Sequence, residues 1–470
     1  MIRSCPRLRF LAISYLAALA AAPLSAEVAV SEPHAKPPAA AVRPHSYTRH
    51  GITIEDPYAW LKDAGYPKVD DPEVLDYLKA ENAYFEAAMK PHAALIETLF
   101  EEMKGRIKED DSSVPQKDGD WLYWWAFKPA GQYRIWYRKP ASGSGDARIV
   151  LDEPVEAEGK EYFRLQVLEI SPDGRLAAWS SDANGAERFT LRVRDLATGK
   201  DIETVSTVTN GAVAWGADSR SLVYTEVNDN WRTYRARHHI LGTDPATDRT
   251  LYEEKEELGF NVAVGRTQDR KWITLTTGDN QTSEIRLVPA ADPAAPPILI
   301  APRKVKRIYS VDSAHDRLWI LTNDEHVNFR IAEADPAKPG TWQTVIPGSD
   351  RVYLRGINSF AGHLVISERV DGLDQIRLRG YDGQESRVPF TEASYTVGLA
   401  SNPEYDPPRY RLAYSSMVTP ATVYDYAPAT QALTTLKVQE VPSGYDPARY
   451  ATERLMVPAR DGKMIPVSIV

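Results

Sequence analysis

The residues that could carry chemistry give little on their own. Nine histidines occur in 470 residues, none in the HExxH spacing that puts two zinc ligands on one helix face. His238 and His239 are adjacent, so in a strand they point to opposite faces and do not share a metal. Gly143-Ser144-Gly145 lacks the spacing of a phosphate loop and reads as a connector. No G-x-S-x-G elbow exists, so the strained turn that would expose a serine nucleophile is missing. Carboxylate pairs abound, but nothing in their spacing sets one apart from surface charge. The one cysteine, Cys5, lies in a leader expected to be removed, which excludes disulfides, thiol catalysis and thiolate metal sites. The expectation is therefore no catalytic residue, no cofactor and no metal.

The leader is legible. Arg3, Arg7 and Arg9 form a positive segment, residues 10–24 an apolar one, and Ala26 is a small residue suited to cleavage before Glu27. The apolar run is short for a membrane span and Pro23 interrupts it, so no stable membrane anchor is expected after cleavage. Cys5 precedes the apolar run, unlike a lipid-acceptor cysteine. The net charge of −9 becomes more negative without the leader, which argues against nucleic acid as a partner. Hydrophobic residues at 43% and charged ones at 26% leave ample material for a core.

Residues 27–43, rich in Ala and Pro, read as a flexible leader. Residues 44–113 read as a helical segment. Asp71 is placed as N-cap with Pro72 at the first helical position, and Val74, Leu75, Leu78, Tyr84, Phe85 and Met89 recur at helical spacing. Pro91 ends that helix, and Leu95, Ile96, Leu99, Phe100, Met103 and Ile107 define a second, giving a helical hairpin.

From Val114 onward the period changes. A turn followed by an apolar strand recurs at Asp118-Gly119, Asp173-Gly174, Asp218-Ser219, Asp269-Arg270, Asp316-Arg317, Ala361-Gly362 and Pro408-Arg409, at steps of 45 to 55 residues. A second strand with basic and aliphatic residues alternating often follows, as at 134–138, 191–194, 285–287 and 376–378. A period near 45 with about four strands per unit predicts a propeller, and seven units are visible over 114–441. The Asp-Gly pairs are turns, since glycine accepts positive φ without a clash. Trp124, Trp125, Trp179, Trp215 and Trp319 are expected in the core between blades. The acidic runs 109–111 and 253–257 read as solvated loops that could attract cationic peptides at a propeller mouth.

Residues 453–459 and 464–470 read as two apolar strands around the turn Arg460-Asp461-Gly462-Lys463. The second strand would leave an uncapped apolar edge, which predicts that the chain is truncated there.

Several ordered motifs carry a resemblance. Asp56-Pro57-Tyr58-Ala59-Trp60-Leu61-Lys62-Asp63, then 73–78 with Glu81-Asn82, is similar to the N-terminal signature of the prolyl oligopeptidase family. Residues 106–109, 113–115, Gly131-Gln132-Tyr133, 252–255, Asn328-Phe329, 414–417 with Thr419-Pro420, 459–462 and 466–468 resemble its oligopeptidase B branch. The resemblance, over roughly 44–470, implies a mostly β fold: a seven-bladed propeller preceded by the helical segment, with 442–470 as the first strands of an α/β-hydrolase domain. It implies a serine endopeptidase acting on short peptides, after Arg or Lys in oligopeptidase B. Its Ser, Asp and His would lie past Val470, so the hydrolase domain is the implied partner and no catalytic residue is carried over. The leader is a departure, since oligopeptidase B is usually thought of as cytosolic. The other reading is a free-standing propeller that binds a peptide or protein.

Overall fold

The structure, a computed structural model, describes residues 36–66 and 68–470. The leader, Ala26 and Glu27 lie outside the described residues. The chain divides into two units, 1–104 and 105–470.

In the first unit, strands Ser46–Arg49 and Ile52–Glu55 pair across a tight turn in which His50 and Gly51 both have positive φ. Asp63 is buried and accepts backbone N–H bonds from Gly65, Asp70 and Asp71 at 2.6 to 2.8 Å. These donors hold its carboxyl below the usual range. They also shape the approach to helix α1 (Pro72–Met89), which Asp71 caps through Glu73 N. Helix α2 (Ala93–Lys104) follows a single 3-10 turn, Lys90–His92. The expected helical hairpin is not formed. Met89, Lys90 and Ala93 all keep right-handed helical angles, so Pro91 sits at the start of a new helical turn, where its fixed φ fits, and no residue reverses the chain. Ile107 falls outside α2. Of α1 only Val74 is buried and of α2 no residue is; Leu95, Leu99, Phe100 and Met103 are exposed. No described helix is long and apolar enough to cross a membrane.

The second unit is a seven-bladed β-propeller: seven four-stranded antiparallel sheets, each from contiguous chain, over 116–152, 164–209, 213–253, 261–299, 309–346, 352–387 and 396–438. They are numbered blades 1 to 7 in that order. Every repeat motif picked out above precedes or begins the second strand of its blade, and the basic-aliphatic segments are third strands. Alternating side chains bury one blade face against the next. Apolar clusters join blade 1 to 2 (Val150, Ala177, Leu196), 2 to 3 (Leu191, Trp215, Leu222), 3 to 4 (Val223, Val262, Leu275), 4 to 5 (Leu287, Leu318, Ile320), 5 to 6 (Leu321, Leu354, Ile366) and 6 to 7 (Val365, Leu378, Leu412).

Trp179, Trp215 and Trp319 are core residues, as expected. Trp124 and Trp125 are not: both are half-buried and line a cavity instead, with Trp124 stacked on Tyr137 at 5.5 Å. His239 is fully buried between Asp248, 2.8 Å from Nδ1, and Glu203, 3.1 Å from Nε2, tying blade 3 to blade 2. After blade 7, strands Glu453–Pro458 and Met464–Ile469 pair as the expected hairpin.

Candidate functional site

In a propeller the functional space is the axial channel and whatever opens onto it. A cavity of about 500 Å³ is lined by Gln116 and Asp118 of blade 1, Glu169 of blade 2, Arg266 of blade 4 and Ser401 of blade 7. Blades 1 and 4 are not neighbours in the ring, so this space reaches the axis. Both signs of charge are present. Arg270 Nη2 lies 2.5 Å from Asp118 Oδ1, and Arg266 Nη2 is 3.8 Å from Glu169 Oε2. The Glu169 carboxyl is pushed above the usual range by burial, although its side chain keeps 39% of its surface open to the cavity. It is enclosed by protein yet reachable from the void.

The interface between blades 7 and 1 differs from the other six. Among the described residues no buried apolar cluster joins them, and polar bonds close the ring instead. Arg411 Nη1 donates to Pro115 O at 2.8 Å, Gln116 to Ser401 O, and Gly119 N to Glu404 Oε1 at 2.7 Å. Lys437 Nζ reaches Asp111 Oδ1 at 2.5 Å, and Lys108 pairs with Glu440 at 2.9 Å. A second cavity, about 790 Å³, opens beside this seam and is lined by Asp111, Trp125, Arg355, Thr396 and Lys437. Trp125 lines both cavities, which is why it is not core.

Neither acidic run is simply solvated. Asp111 is a seam residue. Glu254 turns inward, where it bonds Arg303, Tyr252 and the N–H groups of Glu256 and Glu257; these partners outweigh burial and bring its carboxyl to about 2. It shapes the loop that leaves Glu256 and Glu257 outside. The seam gave no sequence signal, because its partners lie near 110 and near 400 to 440 and share no local pattern.

Among the described residues no serine or threonine hydroxyl is hydrogen-bonded to a histidine ring, the arrangement that activates such a nucleophile. The channel can hold a chain by its charges and peptide groups.

Residues 37–439 match the family described as prolyl oligopeptidase, N-terminal beta-propeller domain. The chain belongs to the prolyl oligopeptidase family. Among its relatives, dipeptidyl aminopeptidase BI of Pseudoxanthomonas mexicana is 35% identical over 473 residues, which cover 96% of this chain and 64% of that protein. Protease 2 of Moraxella lacunata is 29% identical, covering 91% and 62%. Among solved structures, oligopeptidase B from Leishmania major superposes with a TM-score of 0.84 at 27% identity, and oligopeptidase B from Trypanosoma brucei with bound antipain, in a closed form, with 0.84 at 28%. Each match covers 92% of this chain and 64% of the solved one. The chain thus spans just under two thirds of the length of these prolyl oligopeptidase relatives.

Proposed function

We propose that this chain is the propeller-bearing part of an exported serine oligopeptidase of the oligopeptidase B kind. The propeller controls access, and the triad resides in an α/β-hydrolase domain outside the present sequence. The observation that carries the reading is the alignment of nearly the whole chain with about two thirds of longer peptidases, its matched family region being described as an N-terminal beta-propeller domain. The channel supports a selective role: a cavity of about 500 Å³ lined by charge admits an extended peptide and not a folded domain. Cleavage after Arg or Lys follows from likeness to oligopeptidase B, and export from the leader ending at Ala26, with Glu27 as the mature first residue. Mass spectrometry of the mature N-terminus tests export; an intact Met1 in the cytosolic fraction would overturn it.

The 35% identity to a dipeptidyl aminopeptidase favours a second reading, removal of dipeptides from free N-termini. A fusion of this chain to the hydrolase part of that relative separates the two. Cleavage of an N-blocked arginyl anilide, with folded casein-sized substrates spared, supports the endopeptidase. Activity confined to substrates with a free amino terminus supports the dipeptidyl reading. A fusion that labels with a fluorophosphonate yet cleaves neither kind of peptide overturns both. The unfused chain is expected to be inert to that probe.

A further inference from the structure

The turn joining the first and second strands of a blade has two to five residues in blades 1 to 6, as at 119–120 and 267–271; in blade 7 it has ten, 400–409. A loop that outgrows its repeat in this way usually has work of its own. Pro403, Pro407 and Pro408 restrict it. Its root is fixed by Asn402, whose amide donates to Ala400 O and Arg411 O while its oxygen accepts Arg411 N.

Its tip is held by other blades. Gln268 of blade 4 donates to Asn402 O at 2.8 Å and Glu404 O at 3.1 Å. Arg270 of the same turn donates to Pro403 O at 2.9 Å while it pairs with Asp118 of blade 1. Gly119 N and Lys117 Nζ of blade 1 hold the two oxygens of Glu404 at 2.7 and 3.0 Å, and Ala361 N of blade 6 donates to Tyr405 O at 2.9 Å. Blades 4 and 7 stand across the ring from each other, so a loop rooted in one and held by the other crosses the axis. Four antiparallel strands return the chain to the face on which each blade began. The turns after the first strands therefore lie on the face away from where the chain enters blade 1 and leaves blade 7.

We propose that 400–409 is a strap that shuts the axial channel at this far face, with Gln268, Arg270 and Glu404 as its fastenings. The channel becomes a blind cup: a peptide enters and leaves from the terminus face or the seam and cannot thread through. That consequence rests on the peptidase reading, whereas the closure does not.

The test is thiol accessibility in the full chain with Cys5→Ser. A cysteine placed by Glu169→Cys beneath the strap is exposed to a maleimide on a polyethylene glycol too bulky to travel the channel. Thr396→Cys, at the start of its strand near the terminus face, is the control. Two backgrounds are compared with the parent: 400–409 replaced by Asn-Gly, and Gln268→Ala with Arg270→Ala, which removes only side chains and keeps the test alive if the deletion does not fold. Labelling at 169 is expected to rise about tenfold or more in either folded background, with 396 unchanged. An unchanged rate at 169, or an equal rise at 396, overturns the strap. Because labelling needs no peptidase activity, the closure and the peptidase reading can fail separately.

Discussion

Asp111, just before blade 1, and Lys437, on the last strand of blade 7, meet at 2.5 Å although 326 residues separate them. Lys437 also donates to Ser112 O. The pair closes a ring that apolar packing closes elsewhere. Burial alone would raise the Asp111 carboxyl, but the Lys437 and Ser112 donors overcome it and hold it below 3.8. A carboxylate with a lowered folded pKa stabilises the fold above its unfolded pKa, and that contribution is lost as pH falls through the folded value. Lys437→Met is expected to cost about 1 kcal/mol near neutral pH, the scale of a partly exposed pair, and less below pH 4. Hydrogen exchange should quicken at 111–127 and 410–438 while blades 3 to 5 are unchanged; uniform quickening would mean the seam is no weaker than its neighbours.

Asp312 predicts the opposite pH dependence. It lies on the first strand of blade 5 and accepts Gln268 N at 2.7 Å, Ser313 N at 2.9 Å and Ser359 N at 2.6 Å, fastening blades 4, 5 and 6 together. Burial outweighs these donors and pushes its carboxyl up to about 6 from 3.8. The folded state therefore holds this proton more tightly than the unfolded state, so stability from this group falls as pH rises from about 4 to about 6, by roughly 2 to 3 kcal/mol at 1.36 per unit. Asp312→Asn keeps one acceptor oxygen but turns an amide toward a backbone N–H, so it should destabilise by about 1 to 3 kcal/mol. The gap between wild type and variant should narrow as pH rises from 4 to 7 in denaturant titrations. A gap that widens would show that burial does not dominate at this carboxylate.

The strands and the functional features differed in how far the sequence revealed them. Asp173-Gly174 and Ala361-Gly362 announce their blades because a turn and the strand after it are neighbours in sequence, and the chemistry of both is local. Gln268 and Asn402 are 134 residues apart and bond through a backbone carbonyl, which no residue type advertises. The length of the turn at 400–409 emerges only once the strands on either side are placed, and its meaning requires knowing what lies across the axis. Pro91 makes a related point: a proline ends one helix and begins another equally well, and the direction of the chain depends on its neighbours' angles.

Gly372 anchors the terminal hairpin. It has φ +85° in the tight turn of blade 6, and a Cβ there would come within 2.6 Å of Pro466 Cγ. Arg454 donates to Asp371 O beside it, and Ser394 Oγ meets Ser468 Oγ at 2.6 Å. Gly372→Ala is expected to strain the turn and push the hairpin away, costing about 1 kcal/mol or more. Exchange should rise at 453–469 with the blades unaffected. Equal protection of the hairpin in the variant would show that Arg454 and Ser468 hold it unaided.

Helix α2 predicts how the chain behaves in solution. Its apolar positions recur at helical spacing, yet Leu95, Leu99, Phe100 and Met103 are each about half exposed, at 57%, 47%, 53% and 57%. Four such side chains on one short helix form a patch of the kind that soluble proteins cover with a partner. The exposed stripe on α2 can pair with the same stripe on a second copy of this sequence. Self-association that rises with concentration is expected in analytical ultracentrifugation. Leu99→Glu with Met103→Glu should reduce it without lowering the propeller's melting temperature, because neither residue is buried and glutamate suits a helix. The alternative source of association is the hairpin edge at Met464–Ile469. If the double variant associates as strongly as the parent, that edge carries the contact, and Ile465→Lys should then abolish it.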